Sequence, residues 1–156
     1  MNVTVLGAGA WGTALAISAA RRQSHVVLWA RDAAQAHLMQ QQRCNQKYLG
    51  ETPFPHTLSV TSDWDAALAH VGQSGLLVVG TPMAALADML TRVPAHVPVL
   101  WLCKGFEKTS GRLGHEIAQA VRPHGLSGVL SGPSFAIEVA KGQPTALVAA
   151  SDNPEL

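Results

Sequence analysis

Near its start the chain runs NVTVLGAGAWGTALA, Asn2 to Ala16. A short apolar run, Asn2–Leu6, breaks into glycines spaced G-x-G-x-x-G at Gly7, Gly9 and Gly12. A small-residue segment of helical character, Ala10 to Arg22, follows. With 14 glycines in the chain, the bare spacing is a weak signal. Its setting between a strand and a helix is what a dinucleotide-binding turn demands. Gly7 permits the tight turn, Gly9 lets the backbone approach a pyrophosphate, and Gly12 lets the helix pack closely on the strand. The unpaired N–H groups and the positive end of the helix dipole then face the anion.

The rest of the chain alternates in the same sense. HVVLWA, His25–Ala30, is a second strand with almost no polar interruption, as expected of a strand buried on both faces. Ala33 to Asn45 is helical, and Lys47–Pro55 is loop. Thr57–Thr61 is a short strand, with Ser62 as cap for a helix over Asp63–His70. Leu76–Gly80 and Val99–Cys103 are further strands, separated by a helix from Met83 to Arg92. Ser110–Arg122 is helical up to Pro123. Val129–Ser131 enters the turn SGPS, followed by a short helix, Phe135–Ala140, and a strand, Thr145–Ala150. The closing SDNPEL has the form of a helix cap and first turn, which suggests a piece of a longer protein. Such alternation predicts an α/β domain of Rossmann-like, doubly wound type, its mostly parallel sheet covered by helices on both faces.

Ligands of an open α/β sheet gather beyond the carboxyl ends of the strands. The end of the second strand should meet the adenosine ribose, and there the sequence reads Trp29-Ala30-Arg31-Asp32. Arg31 stands first, and a guanidinium pairs with a 2′-phosphate in bidentate fashion. Asp32 is placed to cap the next helix. NADP is therefore the leading cofactor, with NAD the alternative. GTP after Val79, KGF after Cys103 and SGPSF after Leu130 should share one crevice. Lys104 would emerge at its floor, to hold a phosphate or carboxylate or to polarise a carbonyl. Gly132-Pro133-Ser134 offers N–H groups and a hydroxyl at a helix start. Glu138 is either a partner for a base or an exposed helix residue.

Composition excludes several classes. Of the 156 residues 47% are hydrophobic and 13% charged, and the net charge is +1, which gives no basic field for nucleic acid or an anionic membrane. That low charge fraction suggests a surface covered in part by another domain or subunit. No apolar run approaches the length of a membrane span. The cysteines, Cys44 and Cys103, form no disulfide framework and suit a reducing cytoplasm. The seven histidines lack metal-ligand spacing, so no metal site is expected.

Taken in order, GAGAWGTALA, VVLWARD, RCNQKYL, PFP, LLVVGTP, LWLCKGFEKTSGRL and SGPSFAIEVAKGQPTA span the chain almost end to end. Together they resemble the N-terminal domain of the NAD(P)-dependent glycerol-3-phosphate dehydrogenases of the bacterial biosynthetic type. The resemblance implies interconversion of dihydroxyacetone phosphate and sn-glycerol 3-phosphate for phospholipid synthesis. It implies backbone contacts of Ala10, Trp11 and Ala136 with the cofactor, Arg31 at its 2′-phosphate and Tyr48 along its pocket. Lys104 would lie between nicotinamide and substrate, with Gly132 and Ser134 on the glycerol phosphate. The proton-transferring lysine would belong to a helical second domain absent from this chain, and the longer protein would be a cytoplasmic homodimer. Two other readings remain open at this point. One is a related two-domain reductase of hydroxy acids or sugar acids, disfavoured by KGFEKTSGRL. The other is a nucleotide-sensing domain without chemistry.

Overall fold

The computed structural model describes residues 1–22, 25–72 and 74–156. Its centre is β1 (Asn2–Leu6), four of whose five residues are buried. β1 pairs in parallel with β2 (His25–Trp29) on one side and β4 (Leu76–Val79) on the other. β3 (Leu58–Thr61) extends the sheet beyond β2, and β5 (Val99–Trp101) and β6 (Ser127–Ser131) extend it beyond β4. The strand order β3-β2-β1-β4-β5-β6 reverses direction at β1 and β4, and such a switch opens a crevice at the strand ends. A seventh strand, β7 (Val148–Ala150), closes the β6 edge antiparallel to the rest.

Alternate residues of β1 and β2 feed two separate cores. Val3, Val5, Val26 and Leu28 pack with Ala16, Ile17 and Ala20 of α1 (Ala10–Arg21) and with Val139 and Ala140 of α7 (Ala136–Lys141). Leu6 and Trp29 face the other way, onto α4 (Trp64–Val71), α5 (Leu86–Arg92) and α6 (Gly114–Val121). Thr4 is fully buried on that second face and donates its hydroxyl to the Ala67 carbonyl, 3.1 Å away. The sheet is thus covered by helices on both faces, as the sequence predicts. Among the described residues no helix is long and apolar enough to cross a membrane.

Several local expectations are corrected. Asp63, not Ser62, caps α4, its carboxylate accepting from the Ala66 N–H at 3.0 Å. The Lys47–Pro55 loop contains a helical turn, α3 (Gln46–Leu49), and Cys44 pairs with Pro53 in an isolated bridge. Met83–Ala85 is a 3₁₀ turn before α5. The largest change is at α6, which begins at Gly114 rather than Ser110. Phe106 and Leu113 pair as an antiparallel bridge, and Gly111 adopts φ +68°, so Glu107 to Arg112 fold back as a closed loop. Glu116 then accepts from the Leu113 N–H at 2.8 Å and starts the helix. The expected Thr145–Ala150 strand shortens to Val148–Ala150.

Candidate functional site

The glycine turn joins β1 to α1 at the switch point, and the three glycines have different causes. Gly7 has φ +114°, and a Cβ there would stand 2.9 Å from the Gly80 carbonyl group. At Gly12 a Cβ would stand 2.0 Å from the Gly7 oxygen. The fold itself therefore requires both. Gly9 has φ −76° and ψ −175°, open to any residue, and a Cβ there would meet nothing within 4 Å. Gly9 is the N-cap of α1, a position glycine suits, and it leaves the space over the turn open. No side chain caps α1, so the N–H groups of its first turn, at Ala10, Trp11 and Gly12, lack intrahelical acceptors beside this space.

The turn is braced from a distance. Asn45, 1% exposed, donates its amide to the Ala8 carbonyl at 3.0 Å and to the Thr13 hydroxyl at 2.8 Å. Asn45 itself is set by Arg43, which ends α2 (Ala33–Gln42) in the left-handed region at φ 55°. Arg43 holds that conformation while donating to the carbonyls of Pro55 and Leu58 at 2.8 and 2.7 Å. Sequence reading missed Asn45, because its partners lie more than thirty residues away.

A groove of about 620 Å³ runs from the glycine turn along the ends of β2 and β4. Gly7, Gly9, Arg31, Tyr48 and Thr81 line it, and Lys47 and Gln35 join them. Arg31 is exposed. Asp32 caps α2 as expected, accepting from the Gln35 N–H at 3.0 Å. The Lys47 ammonium lies 5.2 Å from the centre of the Tyr48 ring. Trp29 closes the groove from below, its ring edge-on to Trp64 at 5.3 Å and its indole N–H on the Ser62 carbonyl. Two buried polar atoms of groove residues, Gln35 Nε2 and Thr81 Oγ1, have no hydrogen-bond partner among the described residues.

Lys104 lies elsewhere. The carboxyl-end loops do not share one crevice: Gly80-Thr81-Pro82 lines the groove, whereas Lys104, Ser131 and Gly132 line a cleft with Trp11 and Leu147. The start of α1 serves both, Gly7 and Gly9 in the groove and Trp11 in the cleft. Lys104 is exposed and its Nζ donates to the Gly132 carbonyl at 3.0 Å, leaving two donors of the ammonium for another acceptor. Gly132 is fixed by close approach, since a Cβ would stand 2.4 Å from the Ala146 oxygen. The Ser134 hydroxyl reaches the same oxygen at 3.3 Å. Ala136 is the first residue of α7 and packs, half-buried, on the core that Trp11 also touches. Glu138 is half-buried and caps α7, its carboxylate accepting from the Phe135 N–H at 3.3 Å. Cys103, next to Lys104, is no nucleophile at neutral pH, since burial pushes its thiol up to about 11.

The reversed strand order, the glycine turn and the groove beside it define a Rossmann-type dinucleotide-binding domain. Residues 2–156 match the family model described as NAD-dependent glycerol-3-phosphate dehydrogenase N-terminus, and the chain belongs to that family. It is 55% identical to a glycerol-3-phosphate dehydrogenase [NAD(P)+] of Leptothrix cholodnii, covering 98% of this chain and 48% of that protein. A protein of the same description from Acidovorax ebreus is 57% identical over 97% of this chain and 46% of its own length. The crystal structure of glycerol-3-phosphate dehydrogenase from Coxiella burnetii superposes with a TM-score of 0.87 at 36% identity, covering 99% of this chain and 47% of that one. The chain spans about half the length of the curated relatives it matches.

Proposed function

We propose that this chain is the NAD(P)-binding domain of a two-domain enzyme that interconverts dihydroxyacetone phosphate and sn-glycerol 3-phosphate, supplying phospholipid synthesis. Gly9 carries the cofactor reading: an N-cap glycine under open space at a helix start with no side-chain cap. The orphaned Gln35 and Thr81 atoms support it, since each is a groove group awaiting a polar partner. Family membership and the activity printed for the relatives support the substrate.

The N–H groups of Ala10 and Trp11 receive the pyrophosphate at Gly9. Arg31 receives the 2′-phosphate when the cofactor is NADP, and Tyr48 lines the adenosine end. Ala136 contacts the cofactor through its backbone. Bound NAD(P)H supplies a hydride. Lys104, held by the Gly132 carbonyl, points its remaining donors at the substrate oxygen and stabilises the charge that develops there. Gly132 and Ser134 hold the glycerol phosphate. The proton that completes the alcohol comes from a lysine of the second domain. The unpaired thiols of Cys44 and Cys103 suit a reducing cytoplasm, and a homodimer is the assembly expected of the longer protein.

Calorimetric titration of this chain with NADPH tests the reading. Saturable binding with negligible reduction of dihydroxyacetone phosphate is expected. Absence of NADPH binding, or full turnover by this chain alone, would overturn it.

A further inference from the structure

The end of β2 and the start of α2 hold more than Arg31. Gln35 lies in the first turn of α2, lines the groove, and keeps its side-chain Nε2 buried without an acceptor among the described residues. An amide donor left in that state costs roughly 1–3 kcal/mol. Nothing in the fold relieves it. Lys47, from α3, lines the same groove with its ammonium held over the Tyr48 ring. The one acid among the lining residues, Asp32, spends a carboxylate oxygen on the Gln35 N–H. An acid in this position accepts from the ribose 2′-hydroxyl in domains that use NAD. Here it is engaged with the helix, and cations and an unpaired amide surround it.

We infer that Gln35 and Lys47 complete, with Arg31, a three-donor site for the phosphate monoester on the adenosine ribose, so that selection of NADP over NAD is shared among three segments. The inference rests on the cofactor reading above. Each segment contributes a different kind of group. The guanidinium gives a planar fork, the ammonium a point charge, and the carboxamide a neutral donor at the amino end of α2. The neutral donor matters because a phosphate monoester has three acceptor oxygens, and a carboxamide can serve one without the cost of desolvating another charge.

The experiment is calorimetry on this chain and on Gln35→Ala, Lys47→Ala and Gln35→Glu, each checked for a melting temperature no lower than that of the unsubstituted chain. Four probes are used: NADPH, NADH, 2′,5′-ADP and 5′-AMP. Gln35→Ala and Lys47→Ala should each weaken NADPH and 2′,5′-ADP by roughly tenfold while leaving NADH and 5′-AMP within about twofold. Gln35→Glu should weaken the two phosphorylated probes further still, because a carboxylate would then face the monoester. Equal losses for phosphorylated and unphosphorylated probes would overturn the inference and leave the cofactor reading standing. No binding of any probe by the unsubstituted chain would overturn both.

Discussion

The groove beside β1 and the cleft around Lys104 sit at the same end of one sheet, yet they are built differently. Around the groove the segment between α2 and β3 buries Leu49 and Phe54, 4% and 6% exposed, and leaves Tyr48 half-exposed along the groove wall. Around the cleft the segments differ. Phe106, Phe135 and Val148, on the loops after β5 and β6 and on β7, are 67%, 70% and 65% exposed. These segments leave large apolar side chains open to solvent. The groove owes its shape to this chain's own packing, from the Gly7–Gly80 contact to the Asn45 brace. The cleft has a fixed floor and an apolar rim open to solvent. On the function proposed above, the groove binds and the cleft catalyses, so substitutions on the two sides should fail in different measurements.

The largest expected effect is at the cleft. In the longer enzyme proposed above, Lys104→Met should lower kcat by about 10²–10³-fold, as removal of one preorganised donor does at other developing oxyanions. NADPH affinity should stay within about threefold, because the Lys104 ammonium is bound to Gly132 and does not line the groove. A parallel collapse of NADPH affinity would break the separation. Rapid-quench turnover and direct titration on the same variant decide it.

Within the groove the contrast is between two glycines three residues apart. Gly12→Ala forces a methyl group onto the Gly7 carbonyl and should cost about 3 kcal/mol of stability, read as a lower urea midpoint. Gly9→Ala should cost about 0.5–1 kcal/mol, the difference between glycine and alanine as an N-cap. Its NADPH affinity should nonetheless fall by about tenfold or more, since the new methyl occupies the space over the turn. If Gly9→Ala binds NADPH as before, the anion does not lie over that residue.

The sequence made the doubly wound sheet legible because strands buried on both faces read as unbroken apolar runs, and VVLW and LLVV are such runs. β7 was harder: it was expected as a strand, but three exposed residues give no sign of antiparallel pairing at an edge. The start of α6 misled for a chemical reason. Ser110 has the profile of a cap, but its hydroxyl goes to Glu107 inside the closed loop. The helix starts where Glu116 can reach back. For the site, the residues read from strand ends were found at strand ends. What the pattern hid were groups whose meaning depends on absent or distant partners. Asn45 looks like a turn residue until Ala8 and Thr13 are beside it. Gln35 looks like a helix surface residue until its amide is seen to have no acceptor. The likeness of Gly9 to Gly12 in sequence conceals that Gly12 is held by a close backbone approach whereas Gly9 caps a helix under open space.

The smallest expected effect probes the second core beside Lys104. Cys103 follows β5, half-buried against the second core, and desolvation raises its thiol to about 11 against a weaker opposing pull from its own backbone N–H. Burial disfavours the thiolate, so the reactive form is scarce at neutral pH and grows as pH rises toward that value. In a Cys44→Ser background, alkylation by iodoacetamide should therefore accelerate about tenfold per pH unit from pH 8 and level off only near pH 11, with the fold intact by circular dichroism. A plateau near pH 9, where an ordinary thiol titrates, would mean that water reaches Cys103. The packing of the second core beside Lys104 would then be looser than the burial of Cys103 indicates.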